Sequence, residues 1–314
     1  MTLTLAPLAG YTDKAFRMIA SAFGAQETVT EMVSAEGLAR KSVKTRALME
    51  KFDESENLTL QLFGPDGDTF KRALKEFRWQ EFSKIDINAG CPVAKVVKTG
   101  AGSALMRKPE IAGEIIHIIK EETGLKVSIK FRLGWDEGSI NYLDFAETAV
   151  KSGADELTLH ARTRSQLYSG QARKEHFKAL RALFPKDEST SPLINASGDV
   201  FSAEDARLYL EEYGMDGVMF ARGAIGNPFI FRETRKLLET GEYTLPSTEE
   251  RIGTALRHLE LAISFYGEQT AAREMRKVMM SYVKGIRNSS QIKAMMTTAT
   301  CYQDYENALK LLAL

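Results

Sequence analysis

Short apolar runs alternate with longer stretches of helical periodicity over most of the chain. The short runs predict eight β-strands, at Leu3–Ala6, Thr28–Val33, Leu58–Phe63, Ile85–Ala89, Lys126–Leu133, Glu156–His160, Leu193–Ala196 and Val218–Ala221. The clearest helices are predicted at Asp66–Phe77, Pro109–Glu122, Tyr142–Ser152, His176–Phe184 and Ala203–Glu212. Strands that alternate with helices in this way are typical of an α/β protein with a parallel sheet.

Eight strand–helix units in about 225 residues predict a TIM (β/α)8 barrel, a fold that typically takes ~250 residues. A doubly wound open sheet is the alternative. It would need a long break in composition or a Gly-x-Gly-x-x-Gly motif after the first strand, and the sequence has neither. The pattern changes near residue 238. We therefore predict a barrel over residues 1–238, a linker over 239–247 and a small all-helical C-terminal domain over 248–314.

Composition and charge narrow the class of protein. Hydrophobic residues make up 44% and charged residues 27% of the 314 residues, which excludes a disordered chain. No apolar run approaches the ~20 residues of a membrane helix, and MTLTLAPLAG at the start carries no basic leader. Two cysteines, Cys91 and Cys301, cannot form a disulfide framework, and four histidines leave little room for a metal. We expect a cytoplasmic protein without a metal.

The formal net charge is zero, so any basic surface must be local. One stretch of the C-terminal domain, Ala271–Ala294, contains six basic residues and one acidic residue, Glu274. The basic residues are Arg273, Arg276, Lys277, Lys284, Arg287 and Lys293. A solvated helix face is the usual meaning of such a run, but this one-sided balance suits anion binding equally well.

Polar residues follow the predicted strands, and in a TIM barrel the active site lies at those strand ends. Ser197-Gly198-Asp199 follows strand seven and Arg222-Gly223-Ala224 follows strand eight. The loops after these two strands commonly bind phosphate, and glycine lets the backbone approach an anion closely. The sequence therefore predicts a phosphate site here, with a pair of ordinary glycine turns as the alternative.

Lys130 and Arg132 lie two residues apart on a predicted strand, so both side chains point to the same face. A cation in a barrel mouth costs desolvation energy unless it meets an anion. Reduced flavin carries negative charge near N1 and O2 and would supply one. Pairing of Lys130 with a core carboxylate such as Asp86 or Glu31 is the alternative. His160, at the end of strand six, could contact the same ring.

Cys91 is the candidate reactive residue, because it follows strand four between Gly90 and Pro92. An unperturbed thiol has a pKa of ~8.5, is mostly protonated at neutral pH and can donate a proton. Nothing nearby supplies the base that a Cys-His hydrolase would need. The loop Lys95–Lys108 is basic and rich in glycine, which suits a mobile lid over an anionic substrate.

These residues lie in motifs that together resemble the tRNA-dihydrouridine synthases. The motifs are APLAGYTD, TEMVSAEG, QLFG, DINAGCPVAKVVKTGAGSALM, KFRLGW, HARTR with QLYSG, SGDVFSAEDA and ARGAIGNPFIF. They occur in order over roughly Leu5–Phe231, and REMRK and YVKG in the tail are also similar to the family. The Asn-x-Gly-Cys-Pro motif with the AGSAL stretch is highly specific.

The resemblance implies a barrel that binds FMN tightly and a helical domain that helps to hold tRNA. The implied reaction reduces the C5=C6 bond of particular uridines to 5,6-dihydrouridine, with NADPH (or NADH) as reductant. Hydride would pass from flavin N5 to C6, and Cys91 would protonate C5 from the opposite face. Asn88 would help to position the uracil.

The resemblance also assigns binding roles residue by residue. Those implied for the flavin are Pro7, Leu8, Ala9, Gln61, Lys130 and His160, with Ser197, Gly198, Asp199, Ala221, Arg222 and Gly223 around its phosphate. Those implied for the RNA are Lys95, Arg162, Arg164, Arg273, Arg276, Lys277, Lys284 and Arg287. Three features depart from the family: Leu8 replaces a common Met, Ser197 replaces a common Asn, and residues 171–174 lack the usual acidic and aromatic side chains.

Two other functions remain open at the level of sequence. An FMN barrel oxidoreductase that acts on a small metabolite, such as a dihydroorotate-like pyrimidine, would not need the basic helical tail. A tRNA-binding barrel that has lost catalysis would not need Cys91, Lys130 and the glycine loops together. The sequence does not identify the target uridine, and nothing in it marks a dimer surface, so we expect a monomer.

Overall fold

A computed structural model describes residues 1–75, 79–186, 188 and 190–312. Its strands form one parallel sheet that closes on itself. In chain order they are β1 Thr2–Leu5, β2 Glu27–Val29, β3 Val33–Ser34, β4 Leu58–Phe63, β5 Lys84–Ala89, β6 Lys126–Arg132, β7 Glu156–His160, β8 Leu193–Ser197 and β9 Gly217–Phe220. Leu5 of β1 lies opposite Phe220 of β9, and β2 pairs with both β1 and β4. The predicted TIM barrel is confirmed.

The second predicted strand, Thr28–Val33, is divided into β2 and β3. Of the residues between them, Thr30 still donates its N–H to the Thr59 carbonyl oxygen of β4 at 3.0 Å, and two side chains make further hydrogen bonds. The Thr30 hydroxyl accepts the Gln61 N–H at 3.0 Å, and the Glu31 carboxylate accepts the Gly10 N–H at 3.0 Å. Met32, next along the chain, reaches the cavity at the mouth of the barrel.

Helices cover the outside of the barrel and form the C-terminal region. They are α1 Lys14–Ala22, α2 Ala35–Ala39, α3 Val43–Ala47, α4 Gly67–Leu74, α5 Ala94–Val97, α6 Pro109–Thr123, α7 Tyr142–Lys151, α8 His176–Leu183, α9 Ala203–Arg207, α10 Phe229–Thr240, α11 Thr248–Tyr266, α12 Glu268–Glu274, α13 Arg276–Tyr282, α14 Ser289–Thr297 and α15 Tyr302–Lys310. Within the described ranges, no helix is both long and apolar enough to cross a membrane.

The predicted helices agree with the structure except near their ends. The helix predicted over Asp66–Phe77 is observed as α4, and its predicted last residues, 76 and 77, lie outside the described part of the chain. The helix predicted over Ala203–Glu212 is α-helical only to Arg207 and continues as a π-helical turn over Leu208–Glu212. The predicted linker over 239–247 begins inside α10, which ends at Thr240.

The interior of the barrel contains layers of buried polar side chains, and the members of the lower layers bind one another. Near the N-terminal ends of the strands, the Lys84 ammonium pairs with the carboxylates of Glu27 and Glu156. One layer higher, the Asp86 carboxylate accepts from the Gln61 amide at 2.6 Å and the Ser128 hydroxyl at 2.6 Å. Alternate residues of each strand point inward, so the next layer contains Asn88 and Lys130.

The C-terminal helices pack directly on the barrel. His258 of α11 stacks on Phe16 of α1, with the ring centroids 5.3 Å apart and an interplanar angle of 14°. Both side chains are buried, and the His258 Nδ1 lies 3.1 Å from the hydroxyl of Tyr282 in α13. Through the stacking of His258 on Phe16, α11 covers α1.

A buried ion pair fixes α1 to the loop before β4. Arg17 Nε donates to Glu56 Oε1 at 2.8 Å, and Glu56 also accepts from the Thr28 hydroxyl and the Phe52 N–H. We predict that Glu56→Gln lowers the free energy of unfolding by about 3–5 kcal/mol, because it leaves a buried guanidinium without a counter-charge. Urea denaturation followed by circular dichroism measures the change.

The matched control is Glu36→Gln, since Glu36 pairs with Arg40 and Arg72 at the surface. Exposed pairs contribute little to stability, so we expect a small change there. Equal effects of the two substitutions would contradict the structural role of the Arg17–Glu56 pair.

Candidate functional site

A cavity of about 300 Å³ lies at the C-terminal ends of the strands. Its wall contains most of the residues that the sequence suggested: Pro7, Leu8, Ala9, Asn88, Cys91, Lys130, His160, Ser197, Gly198, Asp199, Ala221, Arg222 and Gly223. The strand register explains why they meet. Asn88 lies opposite Lys130, and His160 lies opposite Ser197, so neighbouring strands end in neighbouring polar side chains.

Lys130 faces this cavity without a partner. Within the described residues, its ammonium makes no hydrogen bond or ion pair. The Asp86 carboxylate accepts from Gln61 and Ser128 instead, although its charge still favours the protonated lysine. Burial, reinforced by the nearby Arg132 charge, lowers the pKa of Lys130 to about 8. A half-buried cation in this position favours an anionic or strongly accepting ligand.

The loops after β8 and β9 form the opposite end of the cavity. Gly223 must be a glycine, because a Cβ there would lie 2.1 Å from the Val200 carbonyl oxygen. The backbone N–H groups of Asp199, Val200 and Gly223 make no hydrogen bond to other described residues. Such unengaged N–H groups beside an arginine, Arg222, form a suitable anion site.

The Asp199 carboxylate organises this end of the cavity instead of facing an anion. It accepts from Arg162 at 2.9 and 2.6 Å, from Arg222 at 2.9 Å and from the Ala172 N–H at 2.8 Å. Although burial opposes ionisation, the Arg162 hydrogen bonds lower the pKa of Asp199. These bonds also hold Asp199 in a left-handed conformation, with φ at 49°.

Cys91 lies on a loop that the barrel interior holds in place. The Asn88 side-chain oxygen accepts the N–H groups of Cys91 at 2.8 Å and Gly90 at 3.2 Å. The Asn88 amide group donates to Gln61 at 2.8 Å. A Cβ on Gly102 would lie 2.8 Å from the Cys91 carbonyl oxygen, so only glycine allows this close approach. Asn88 is thus positioned to orient the cysteine loop as well as to line the cavity.

The environment of the thiol keeps it protonated. Burial raises the pKa of Cys91 above its ordinary value, against the opposing effects of the Val93 N–H and the Arg132 charge. Burial, with Arg132 and Lys130 nearby, holds the pKa of His160 well below its usual range. His160 is therefore neutral at physiological pH, and Cys91 and His160 do not form a thiolate–imidazolium pair.

Among the lining residues that were absent from the predicted site, Tyr168 and Arg132 make contacts that shape the cavity. Tyr168 is 51% exposed, and its ring lies 4.7 Å from the Arg222 guanidinium and 6.0 Å from that of Arg132. Arg132 donates to the carbonyl oxygens of Gly90, Thr163 and Leu167, and so ties the cysteine loop to the loop after β7. The shared face of Lys130 and Arg132 was the available signal for Arg132, and the QLYSG motif was the signal for Tyr168.

The structure places four suggested residues away from the cavity wall. Gln61 is buried beneath it between Asp86 and Asn88, and Arg162 is 1% exposed and bound to Asp199. Lys95 is exposed on α5, and Arg164 lies 4.5 Å from the centre of the Trp135 ring. The second half of the suggested lid is a 3-10 helix, Gly102–Arg107, whose Leu105 and Met106 are buried.

The basic residues of the tail differ in exposure. Arg273, Lys277, Lys284 and Arg287 are exposed, although Arg273 contacts Glu274 at 3.2 Å. Arg276 is half-buried and donates to the Ala299 carbonyl oxygen at 3.0 Å. Four of the five suggested tail residues are therefore available at the surface. Among the described residues, no group of three or more His, Cys, Asp or Glu is arranged to hold a metal ion.

A family model and the curated relatives of this chain indicate the same family. A family model described as dihydrouridine synthase (Dus) matches residues 4–313. The chain is 38% identical to the probable tRNA-dihydrouridine synthase of Treponema pallidum (strain Nichols), over 97% of this chain and 91% of that protein. It is 34% identical to tRNA-dihydrouridine synthase B of Pasteurella multocida (strain Pm70), over 90% of this chain and 84% of that protein.

Solved structures share the fold at low identity. Histamine dehydrogenase from Rhizobium sp. 4-9 superposes with a TM-score of 0.54 at 16% identity, over 83% of this chain and 49% of that chain. Morphinone reductase in complex with tetrahydroNAD gives a TM-score of 0.51 at 11% identity, over 80% of this chain and 90% of that chain. At these identities the likeness shows a common barrel.

The protonated state of Cys91 can be measured directly. We predict that, in a Cys301→Ser background, the rate of alkylation by iodoacetamide rises with pH to a midpoint above the ~8.5 of a free thiol, because burial disfavours the thiolate. Mass spectrometry of timed samples gives the rate, and glutathione in the same buffers is the reference. A midpoint well below that of glutathione would show a stabilised thiolate and would contradict this description.

Proposed function

This chain belongs to the dihydrouridine synthase family, and we propose that it reduces the C5=C6 bond of specific uridines in tRNA, using FMN and NADPH (or NADH). The observation that carries the proposal is one cavity that contains an unpaired cation, Lys130, and a protonated thiol, Cys91. When bound, FMN would supply hydride to C6 of the uracil. The protein must then bind the flavin and the tRNA, orient the uracil and protonate its C5.

The residues of the cavity fit FMN at both ends. Lys130 would offer a positive charge to the flavin ring, and Arg222 with the N–H groups of Asp199 and Gly223 would hold the phosphate. Pro7, Leu8 and Ala9 provide an apolar wall. Gln61 and Arg162 would act indirectly, by supporting Asn88 and Asp199.

Cys91 would protonate C5 of the uracil after hydride reaches C6. Its raised pKa keeps the proton on sulfur until charge develops on the substrate. The resulting thiolate would lie within the positive field of Arg132 and Lys130, which favours the charged form. Asn88 fixes the loop through two backbone N–H groups, so the thiol is presented at a defined position.

We predict that Arg222→Ala weakens FMN binding by about 10- to 150-fold, the equivalent of a charge-assisted contact of ~1.5–3 kcal/mol. Fluorescence titration of the apoprotein with FMN measures the affinity. The FMN affinity of Arg222→Lys should lie between those of the wild type and Arg222→Ala, because lysine keeps the charge and loses the forked geometry. A folded Arg222→Ala protein that purifies with full flavin content would show that the phosphate lies elsewhere.

We predict that Cys91→Ala binds FMN, is reduced by NADPH and binds tRNA, because none of these steps needs the thiol. Oxidation of its reduced flavin by unmodified tRNA should slow by about 10²–10⁴-fold, the usual effect of a lost general acid. Cys91→Ser should be nearly as slow, and Cys301→Ser should be unaffected. Single-turnover absorbance at the flavin band measures the rate, and wild-type oxidation by Cys91→Ala would refute the assignment.

We predict that the triple variant Lys277→Glu, Lys284→Glu and Arg287→Glu binds tRNA more weakly and with a shallower salt dependence. Each lost phosphate contact should reduce the slope of log affinity against log salt by about 0.7–0.9. Filter binding between low and moderate salt measures both quantities. These three side chains are exposed, so the substitutions should leave folding intact.

The matched control replaces three exposed lysines on the barrel by glutamate: Lys71, Lys126 and Lys236. The control changes the net charge equally but alters residues outside the basic tail. An equal loss of affinity in both triple variants would show a general electrostatic effect and no tRNA surface on the tail.

A further inference from the structure

A second cavity, of about 230 Å³, lies between the barrel and the C-terminal helices. It is bounded by the loop after β1, by Glu31 between β2 and β3, and by α11 and α12. Tyr11 contributes to the walls of both cavities, so the second one directly adjoins the proposed uracil site. Its volume is far above the roughly 15 Å³ that a single water needs.

The polar lining of this second cavity contains two cations, Lys14 and Arg17, and three carboxylates. Both cations are already bound to protein acceptors, Lys14 to Glu50 and Arg17 to Glu56, so the charged groups left for a ligand are carboxylates. Glu31 Oε1 accepts the Gly10 N–H, and Glu31 Oε2 makes no hydrogen bond with the described chain. Burial raises the pKa of Glu31, against the opposing effects of the Gly10 hydrogen bond and the Arg17 charge. Asp13 is already engaged, because its carboxylate caps α1 through the Phe16 N–H. Glu31 is thus a half-buried carboxylate with one oxygen, Oε2, left for a donor from a ligand.

The buried side chain of His258 also lines the cavity. His258 is 1% exposed, and its Nδ1 lies 3.1 Å from the Tyr282 hydroxyl. The other ring nitrogen, Nε2, has no hydrogen-bond partner in the part of the chain that the structure describes. Burial lowers the pKa of His258 to about 3, so the ring is neutral. An unpaired buried polar atom is costly unless a ligand or water meets it.

The remaining lining is apolar and comes from two sides. Leu48 lies on the barrel side, and Ala262, Met275 and Val278 lie on the helical side. A ligand that suits this cavity has apolar faces and hydrogen-bond donors along one edge. A metal ion is a poor occupant, because no suitable group of three ligands exists among the described residues.

We propose that this second cavity binds a nucleobase of the tRNA that carries an exocyclic amino group, with guanine as the best fit. The proposal rests on the proposed function. Proteins read single-stranded RNA by burying splayed bases between side chains and by binding their Watson–Crick edges. Guanine presents N1–H and the N2 amino group together on that edge, which matches the Glu31 carboxylate. Uracil has a single N–H there and would leave an acceptor unpaired.

The position of the cavity indicates which base would enter. A nucleotide close to the target uridine in the RNA chain can reach it, because the two cavities meet at Tyr11. The phosphates would remain outside, away from Asp13, Glu31 and Glu274. The second base would thus anchor the RNA while the uridine occupies the first cavity, and would contribute to the choice of uridine.

The first test blocks the cavity from its rim. Thr270 is exposed on α12 and lines the cavity, so Thr270→Trp should place a large ring there without disturbing the core. Gln269→Trp is the matched control, since Gln269 is exposed on the same helix and does not line the cavity. We expect the KM for tRNA to rise at least about tenfold in Thr270→Trp alone, with FMN content and Cys91 alkylation unchanged in both. An unchanged KM in Thr270→Trp would overturn the proposal.

The second test identifies the base. Transcripts of a substrate tRNA carry inosine in place of each single guanosine near the modified uridine, because inosine lacks only the N2 amino group. With the wild-type enzyme we expect one position to lose about 5- to 150-fold in kcat/KM, the range for one base contact. With Glu31→Gln, whose side chain retains an oxygen for the Gly10 N–H, the penalty at that position should largely disappear.

The outcomes separate this inference from the proposed function. If the wild-type enzyme forms no dihydrouridine in any tRNA, the proposed function is wrong. If dihydrouridine forms and no guanosine is sensitive to inosine, or the penalty is equal in wild type and Glu31→Gln, the second base site is wrong while the proposed function stands.

Discussion

The polar interior of the barrel imposes the constraint on which the site depends. Buried charges need ion-pair or hydrogen-bond partners, and the lower layers supply these among themselves. Lys84 pairs with Glu27 and Glu156, and Asp86 accepts hydrogen bonds from Gln61 and Ser128. Among the described residues, no carboxylate forms an ion pair with Lys130 in the next layer, although the Asp86 charge favours its protonated form. The Lys130 ammonium at the barrel mouth is therefore free to meet an anionic group from outside the chain.

The same hydrogen-bond network determines where the thiol lies. Asp86 holds Gln61, Gln61 accepts from Asn88, and Asn88 accepts the N–H groups of Gly90 and Cys91. Cys91 lies on a loop, yet its backbone is connected through three side chains to the centre of the barrel. A reactive group on a loop can thus be as well positioned as one on a strand.

Sequence reasoning predicted the barrel because the period of apolar residues is a local property. It also placed Lys130, Cys91, Gly198 and Arg222 at the mouth of the barrel, where all four line the cavity, since strand ends converge in any parallel barrel. It placed Gln61 and Arg162 in direct contact with ligands, whereas the structure gives both of them protein partners. Which member of a polar layer is satisfied internally depends on pairing between distant strands, and this information is absent from local spacing.

The contact between the barrel and the C-terminal helices also could not be predicted from the local sequence pattern. The amphipathic character of α11 indicates that one face is buried, but it does not identify Phe16 as the partner of His258.

The contact between Phe16 and His258 affects which variants can test function. Deletion of residues 248–314 would expose α1 and remove one wall of the second cavity, so loss of activity after deletion would not distinguish RNA binding from misfolding. Substitutions at exposed positions keep the barrel covered. They are therefore the appropriate means to separate an enzyme that acts on tRNA from a barrel that acts on a free metabolite.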